Sequence, residues 1–199
     1  MDKRITPELI LRAYCAGIFP MADASGRISW YSPDPRCIIE LDGLRVHRSL
    51  RQVIRRGTFE TRVNGDFRAV VAACADRPGG TWISPGIRRL YTALHEAGYA
   101  HSVEAWREGR LAGGLYGVAI GGAFFGESMF YSERDASKVA LVALVERMRQ
   151  RGFVLLDVQW QTPHLARLGA VEIPREEYLR RLAGAIELDC RFVDAPPGA

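Results

Sequence analysis

Two short segments set acidic and amide side chains into strands that are otherwise apolar. In Phe124-Phe-Gly-Glu-Ser-Met-Phe, strand alternation sends Phe125, Glu127 and Met129 to one face and Phe124, Gly126 and Ser128 to the other. Glu127 is then a carboxylate in an apolar field, which is costly without a partner. That partner is either a donor within the fold or a cationic group of a substrate. Gly126 lets a ligand or another backbone come close to the strand. In Leu155-Leu-Asp-Val-Gln-Trp-Gln, Asp157 and Gln159 project to one face, two residues apart. A carboxylate beside a carboxamide can hold an amine or accept its proton; equally, the pair can satisfy the loop leaving the strand. Two strands that each plant an acid among apolar side chains point to a reaction centre, because such groups have shifted pKa values.

Other combinations carry less. Ser128 lacks the closing glycine of a nucleophile elbow. His47, His95, His101 and His164 are dispersed, and none has a histidine four residues on. Cys15, Cys37, Cys74 and Cys190 form no CxxC, so no metal site is expected and reduced thiols are the default. Gly113-Gly and Gly121-Gly lead into strands, not into the helix that a phosphate loop needs.

A second kind of chemistry lies upstream. From Leu44 to Gly57 there are five arginines (Arg45, Arg48, Arg51, Arg55 and Arg56) and no acid. On a helix they fall within an arc of about 140°, opposite Val46, Leu50, Val53 and Ile54. Such a stripe is either a solvated face or a phosphate-binding one; the guanidinium fork suits phosphate oxygens.

The elements that must position these residues follow from periodicity and punctuation. Thr6 caps a helix beginning at Pro7 and ending at Gly17. A strand, a Pro-directed turn and a second strand occupy Ile28–Glu40. Together with the arginine helix they form a small N-terminal module over residues 1–60. In the remainder, 61–199, helices are expected near Asp66–Asp76 and Pro85–Gly98. Strands follow at His101–Arg107, Arg110–Ile120 and Gly122–Phe130. Then come an apolar helix from Ala136 to Arg151, a buried strand at Phe153–Gln159, a helix after Thr162 and another at Arg175–Ala185. Hairpin strands followed by helix and strand imply an α+β, mixed α/β sheet, in an order resembling the acyl-CoA N-acyltransferase fold.

Composition is compatible with this. The 199 residues are 48% hydrophobic and 25% charged with net charge +4, which suits one or two globular units and excludes disorder. No apolar run nears the roughly 20 residues of a membrane span, and no signal peptide core follows Met1, so a cytoplasmic location is expected.

Nine collinear motifs then carry a resemblance: Gly17-Ile-Phe-Pro, Trp30-Tyr-Ser-Pro-Asp-Pro-Arg, Gly80-Thr-Trp-Ile, His101-Ser-Val-Glu-Ala-Trp, Gly113-Gly-Leu-Tyr-Gly-Val, Gly126-Glu-Ser-Met-Phe, Ala136-Ser-Lys, Leu156-Asp-Val-Gln and Leu168-Gly-Ala-Val-Glu-Ile-Pro-Arg. They resemble the leucyl/phenylalanyl-tRNA–protein transferases. The resemblance implies a small N-terminal domain joined to an acyltransferase-like domain that binds no acyl-CoA and needs no cofactor. It implies transfer of Leu or Phe, and Met less well, from aminoacyl-tRNA to proteins beginning with Arg or Lys, marking them for degradation. Leu115, Phe124, Met129, Leu141, Leu144 and Leu156 match the apolar aminoacyl pocket, with Gly126 and Ser128 on the same strand. Trp82 and Tyr91 match aromatic positions around the terminal adenosine, where stacking is apt. Asp157, Gln159 and Glu127 match the reaction centre: Asp157 orients or deprotonates the amine, Gln159 links, and Glu127 holds the aminoacyl amino group or the adenosine end. Arg45, Arg48, Arg51, Arg55 and Arg56 fall on the basic cluster for the acceptor stem. Met21 stands where some members have a Trp lining the site. A monomer is the expected state.

Overall fold

The computed structural model describes residues 5–194. Helix α1 (Pro7–Cys15) begins where Thr6 accepts the Leu9 N–H and ends at Gly17, whose φ of +75° turns the chain back. Strands β1 (Phe19–Ala22) and β2 (Ile28–Tyr31) pair as a separate hairpin. All other strands share one seven-stranded sheet: β3 (Arg36–Ile39), β4 (Glu60–Val63), β5 (Ala100–Arg107), β6 (Arg110–Ile120), β7 (Ala123–Tyr131), β8 (Leu155–Gln159) and β9 (Val171–Ile173), in the order β4-β5-β6-β7-β8-β3-β9. Strand β3 therefore comes from the first 60 residues yet lies between β8 and β9, antiparallel to both.

Helices cover both faces. One face packs on α1, α3 (Phe67–Ala75), α4 (Pro85–Glu96) and α7 (Arg175–Ile186), through Ile10, Tyr14, Val70, Ile87, Tyr91, Tyr178 and Leu182. The other packs on α5 (Ala136–Gln150) through Leu141, Leu144, Val145 and Met148, with the short α6 (Pro163–Arg167) beside it. Helix α5 runs from β7 to the parallel β8, the one parallel pair of the sheet, as the crossover requirement dictates. The basic helix α2 (Arg48–Arg55) sets Leu50 against Val139 and Val142 of α5. It is shorter than the expected Leu44–Gly57, because the Arg45 N–H is taken by the Leu168 carbonyl at 2.9 Å, which holds residues 44–47 out of the helix. No described helix is long and apolar enough to cross a membrane.

Two features of register position the site. Strands β7 and β8 pair only from Ala123–Leu155 to Phe125–Asp157, although β7 runs on to Tyr131. Past that point they diverge and open a cleft. Each diverging strand also carries a bulge at the split. On β7, Ser128 faces Tyr116 and Gly126 faces Gly117, leaving Glu127 as the extra residue. On β8, Gln159 faces Cys37 and Asp157 faces Ile38, leaving Val158 as the extra one. The β7 bulge breaks the expected alternation. Phe125 and Glu127 stay on the α4 face, but Met129 crosses to the α5 face and joins Phe124 and Leu115.

Gly117 faces this bulge, and a β-carbon there would overlap the Phe125 carbonyl and the Phe124 ring. Gly117→Ala is expected to destabilise the fold by about 1–3 kcal/mol through overpacking. A lower urea midpoint with unchanged m-value is the expected readout; an unchanged midpoint would show that the bulge yields without cost.

Candidate active site

The split opens a cleft of about 780 Å³ that reaches both faces of the sheet. Its apolar end, under α5, is lined by Leu115, Met129, Leu141, Leu144, Leu156 and Val158. Its polar end holds Glu127, Gln159 and Ser128, with Met21, Trp82, Phe19 and Trp160 around the opening. Phe19 and Trp160 meet edge to face at 4.9 Å between ring centroids, so the β1 hairpin and the β8 exit form one aromatic wall. Of the expected site residues, the cleft brings together Met21, Trp82, Leu115, Gly126, Glu127, Ser128, Met129, Leu141, Leu144, Leu156 and Gln159. Phe124, Tyr91 and Asp157 are not among the cleft-lining residues, and each has no exposed surface.

Asp157 is held from four directions. Arg36 Nε donates to Oδ1 at 2.9 Å and Nη2 to Oδ2 at 2.6 Å, a bidentate pair buried on both sides. The Gln159 N–H reaches Oδ1 at 2.9 Å, and the Tyr178 hydroxyl reaches Oδ2 at 2.9 Å. A carboxylate offers about four lone-pair sites, and these donors fill them. An amine therefore cannot meet Asp157 directly, in contrast to the orienting or proton-accepting role that the resemblance implies for it. The carboxylate instead fixes the backbone of Gln159, which sits at φ +63°, uncommon for a residue other than glycine. Its side-chain Nε2 donates to Glu127 Oε1 at 3.0 Å, which leaves the amide oxygen as an acceptor towards the cleft.

Arg36 was not singled out by residue type, although it closes the Trp30-Tyr-Ser-Pro-Asp-Pro-Arg motif. Its Nη1 donates to the Gly17 carbonyl at 2.9 Å, and its guanidinium stacks on Phe19 and Tyr178 at 4.8 and 4.3 Å. That explains why Gly17-Ile-Phe and Arg36 occur together: the α1 terminus, β1 and β3 converge on one cation. A signal was present, an arginine opening the apolar run Cys37-Ile-Ile, but its partner lies 121 positions away.

Glu127 is buried beneath the cleft floor. Tyr14 OH lies 2.6 Å from Oε1, Tyr91 OH lies 2.9 Å from Oε2, and the two hydroxyls are 2.5 Å apart. Two hydroxyl hydrogens cannot serve all three contacts, so a protonated Glu127 completes the triangle. Burial pushes its pKa up to about 7 in spite of the tyrosine hydrogen bonds, with the Asp157 charge adding to the rise. Tyr91, matched at first to the adenosine, thus serves Glu127 through its hydroxyl.

The five arginines of residues 45–56 are all exposed, on α2 and the segment before it. They lie outside the cleft, on the α5 side.

Comparison with known proteins agrees along the chain. The profile described as leucyl/phenylalanyl-tRNA protein transferase matches residues 38–183, and that of its N-terminal domain matches residues 3–34. The leucyl/phenylalanyl-tRNA–protein transferase of Rubrobacter xylanophilus is 60% identical over 190 residues, covering 95% of this chain and 99% of the relative. That of Gloeobacter violaceus is 56% identical over 189 residues, covering 94% and 97%. The cleft geometry, both profiles and these identities lead to one assignment: the chain belongs to the leucyl/phenylalanyl-tRNA–protein transferase family.

Proposed function

We propose that this cleft transfers Leu or Phe from charged tRNA to the α-amine of a protein beginning with Arg or Lys, with Gln159 meeting the attacking amine. The observation that carries the reading is the two-ended cleft, apolar under α5 and polar at Glu127–Gln159. The aminoacyl side chain fills the end lined by Leu115, Met129, Leu141, Leu144 and Leu156. These walls are unbranched or γ-branched, and they suit Leu and Phe. Trp82 and Met21 flank the adenosine, Met21 by packing rather than by stacking.

In the reaction the acceptor nitrogen attacks the ester carbonyl, the amide bond forms and the ester bond to the ribose oxygen breaks. One proton leaves the amine and ends on that oxygen. A protein α-amine has a pKa of roughly 7.7–8.0, so a useful fraction is neutral at neutral pH without a strong base. The Gln159 amide oxygen can hold one amine N–H and aim the lone pair, which is catalysis by positioning. Arg36, Asp157 and the strained Gln159 backbone are then positioning residues for that oxygen. Glu127 supports the amide from the other side. The exposed Asp76 carboxylate lines the cleft, in keeping with a cationic acceptor. The exposed arginines of residues 45–56 present an acid-free surface to the acceptor stem. The modified protein would then carry an apolar N-terminus as a degradation signal.

Acyl-CoA chemistry is poorly served. The turn between β7 and α5 has no glycine, and the Asp135 carboxylate sits at the helix start, 2.7 Å from Lys138. A pyrophosphate there would meet an acid.

Transfer of labelled Leu from Leu-tRNA to peptides beginning with Arg, Ala or Asp tests the reading directly. Label on the Arg peptide alone is expected; label on the Asp peptide would overturn the acceptor assignment. Gln159→Ala is expected to lower kcat by about 10²-fold or more while KM for Leu-tRNA stays unchanged. A change confined to KM would place Gln159 in binding instead. For Glu127 the sign is set by a folded pKa above the unfolded 4.5. Between pH 4.5 and about 7 the folded state holds the extra proton, so stability falls as pH rises. His101, held down to about 4 by burial, acts with opposite sign over part of that window. The difference between wild type and Glu127→Gln removes it. That difference is expected to move against the wild type as pH rises, by no more than about 3 kcal/mol in all. Urea unfolding at pH 5, 6, 7 and 8 reads it, and a flat difference would mean that Glu127 is ionised throughout.

A further inference from the structure

Charged tRNA presents its ester at the end of a single-stranded 3′ segment. A chain seated in the cleft must leave it and reach the arginines of α2. The part of the surface between the two is α6. Arg167, its last residue, lines the cleft and is exposed.

Helix α6 is fixed against the arginine segment rather than merely near it. The Leu168 carbonyl accepts the Arg45 N–H at 2.9 Å. Gly169, at φ +99°, has no room for a β-carbon: it would overlap the Gly43 carbonyl and stand 3.3 Å from Arg45 Cγ. Glycine is required there for both reasons. The step from Arg167 to Arg45 is thus a rigid one, across one backbone hydrogen bond.

The charges along this line are uncompensated. Many exposed or half-exposed arginines elsewhere are paired, among them Arg62 with Glu60, Arg107 with Glu133, Arg149 with Asp42 and Arg151 with Asp194. Among the described residues, Arg167 and the five arginines of residues 45–56 have no carboxylate at ion-pair distance. Lys138, nearby, is neutralised by Asp135 at 2.7 Å. His164 also lines the cleft, and its pKa is lowered first by burial and then by the charges of Lys138 and Arg167, so this rim already favours anions over further cations. An acceptor beginning with Arg or Lys would be repelled by a guanidinium; a phosphodiester would be held by one.

We propose that Arg167 binds the backbone phosphates of the donor's 3′ single strand and joins the cleft to the arginine stripe, so that α6 is the path of the tRNA end across the protein. The proposal rests on the transferase reading and adds a phosphate contact at the cleft rim.

Two donors separate the possibilities: full Leu-tRNA, and leucyl-adenosine, which carries the same ester and no phosphate. With Leu-tRNA, Arg167→Ala is expected to raise KM several-fold and to reduce the slope of log affinity against log salt by about 0.7, the single-strand value per contact. With leucyl-adenosine its KM and kcat are expected to match wild type. Arg167→Lys, which keeps the charge, is expected to restore most of the salt slope. The loss should add to that of Arg51→Ala with Arg55→Ala, since distant phosphate contacts are independent. An unchanged salt slope with tRNA overturns the proposal. So does an equal loss with both donors, because Arg167 would then only shape the cleft. No transfer by the wild-type protein from either donor overturns the transferase reading itself, and this inference with it.

Discussion

Asp157 has four lone-pair sites and four donors, and the guanidinium supplying two of them is as fully buried as the carboxylate. A buried pair of this kind adds little net stability over an apolar substitute, but losing one partner costs about 3–5 kcal/mol. Its effect is therefore specification. The pair ties β3 to β8, takes the Gly17 carbonyl at the end of α1, and draws in Tyr178 from α7. Two segments near the start of the chain and two near its end, 121 residues apart at Arg36 and Asp157, are registered on one charge pair. The backbone of Gln159 is registered with them, in a conformation that only a surrounding structure can hold. The amide that faces the cleft is aimed by this arrangement and not by its own rotamer preference.

The cleft exists because two strands part. While β7 and β8 pair, their side chains alternate between two closed cores. Once they diverge, both faces communicate, and an apolar end under α5 meets a polar end under α4 in one space. Bulges at Glu127 and Val158 mark the parting on each strand. They change which side chains point inward within two residues. That lets Met129 line the apolar end while Glu127, two positions earlier, sits among the tyrosines of the other face. A two-substrate reaction needs such a place, where an apolar acyl group and an amine approach one carbonyl from different sides.

Much of this is legible in the chain, for reasons that also show where legibility ends. Local signals suffice where the determinants are local: Thr6 with Pro7, the helix near Pro85–Gly98 and the long apolar α5 all form as expected. Glu127 and Gln159 stood out because polar groups in apolar strands are costly, and both reach the cleft. Arg36 did not stand out as a type, since its meaning is a carboxylate 121 residues away. Alternation misplaced Met129 because a bulge is a property of two strands together. Residues 44–47 carried a helical pattern but were captured by the Leu168 carbonyl, a tertiary contact stronger than propensity. Strand β3, assigned from the sequence to an N-terminal module, lies inside the main sheet between β8 and β9, its four residues all buried.

Charge distribution follows the same division between paired and unpaired. The chain holds 27 basic and 23 acidic residues, a net excess of only four. The six guanidiniums from Arg45 to Arg56 and at Arg167 exceed that whole excess, so the remainder of the protein is slightly acidic. Six guanidiniums without a carboxylate partner among the described residues thus lie along α2 and at the end of α6, at the cleft mouth. A polyanion near that face would be attracted to it, an effect that weakens with salt. Pairing most other arginines with carboxylates is what makes the stripe directional. Neutralisation elsewhere, as much as the arginines themselves, determines where an anionic partner is drawn.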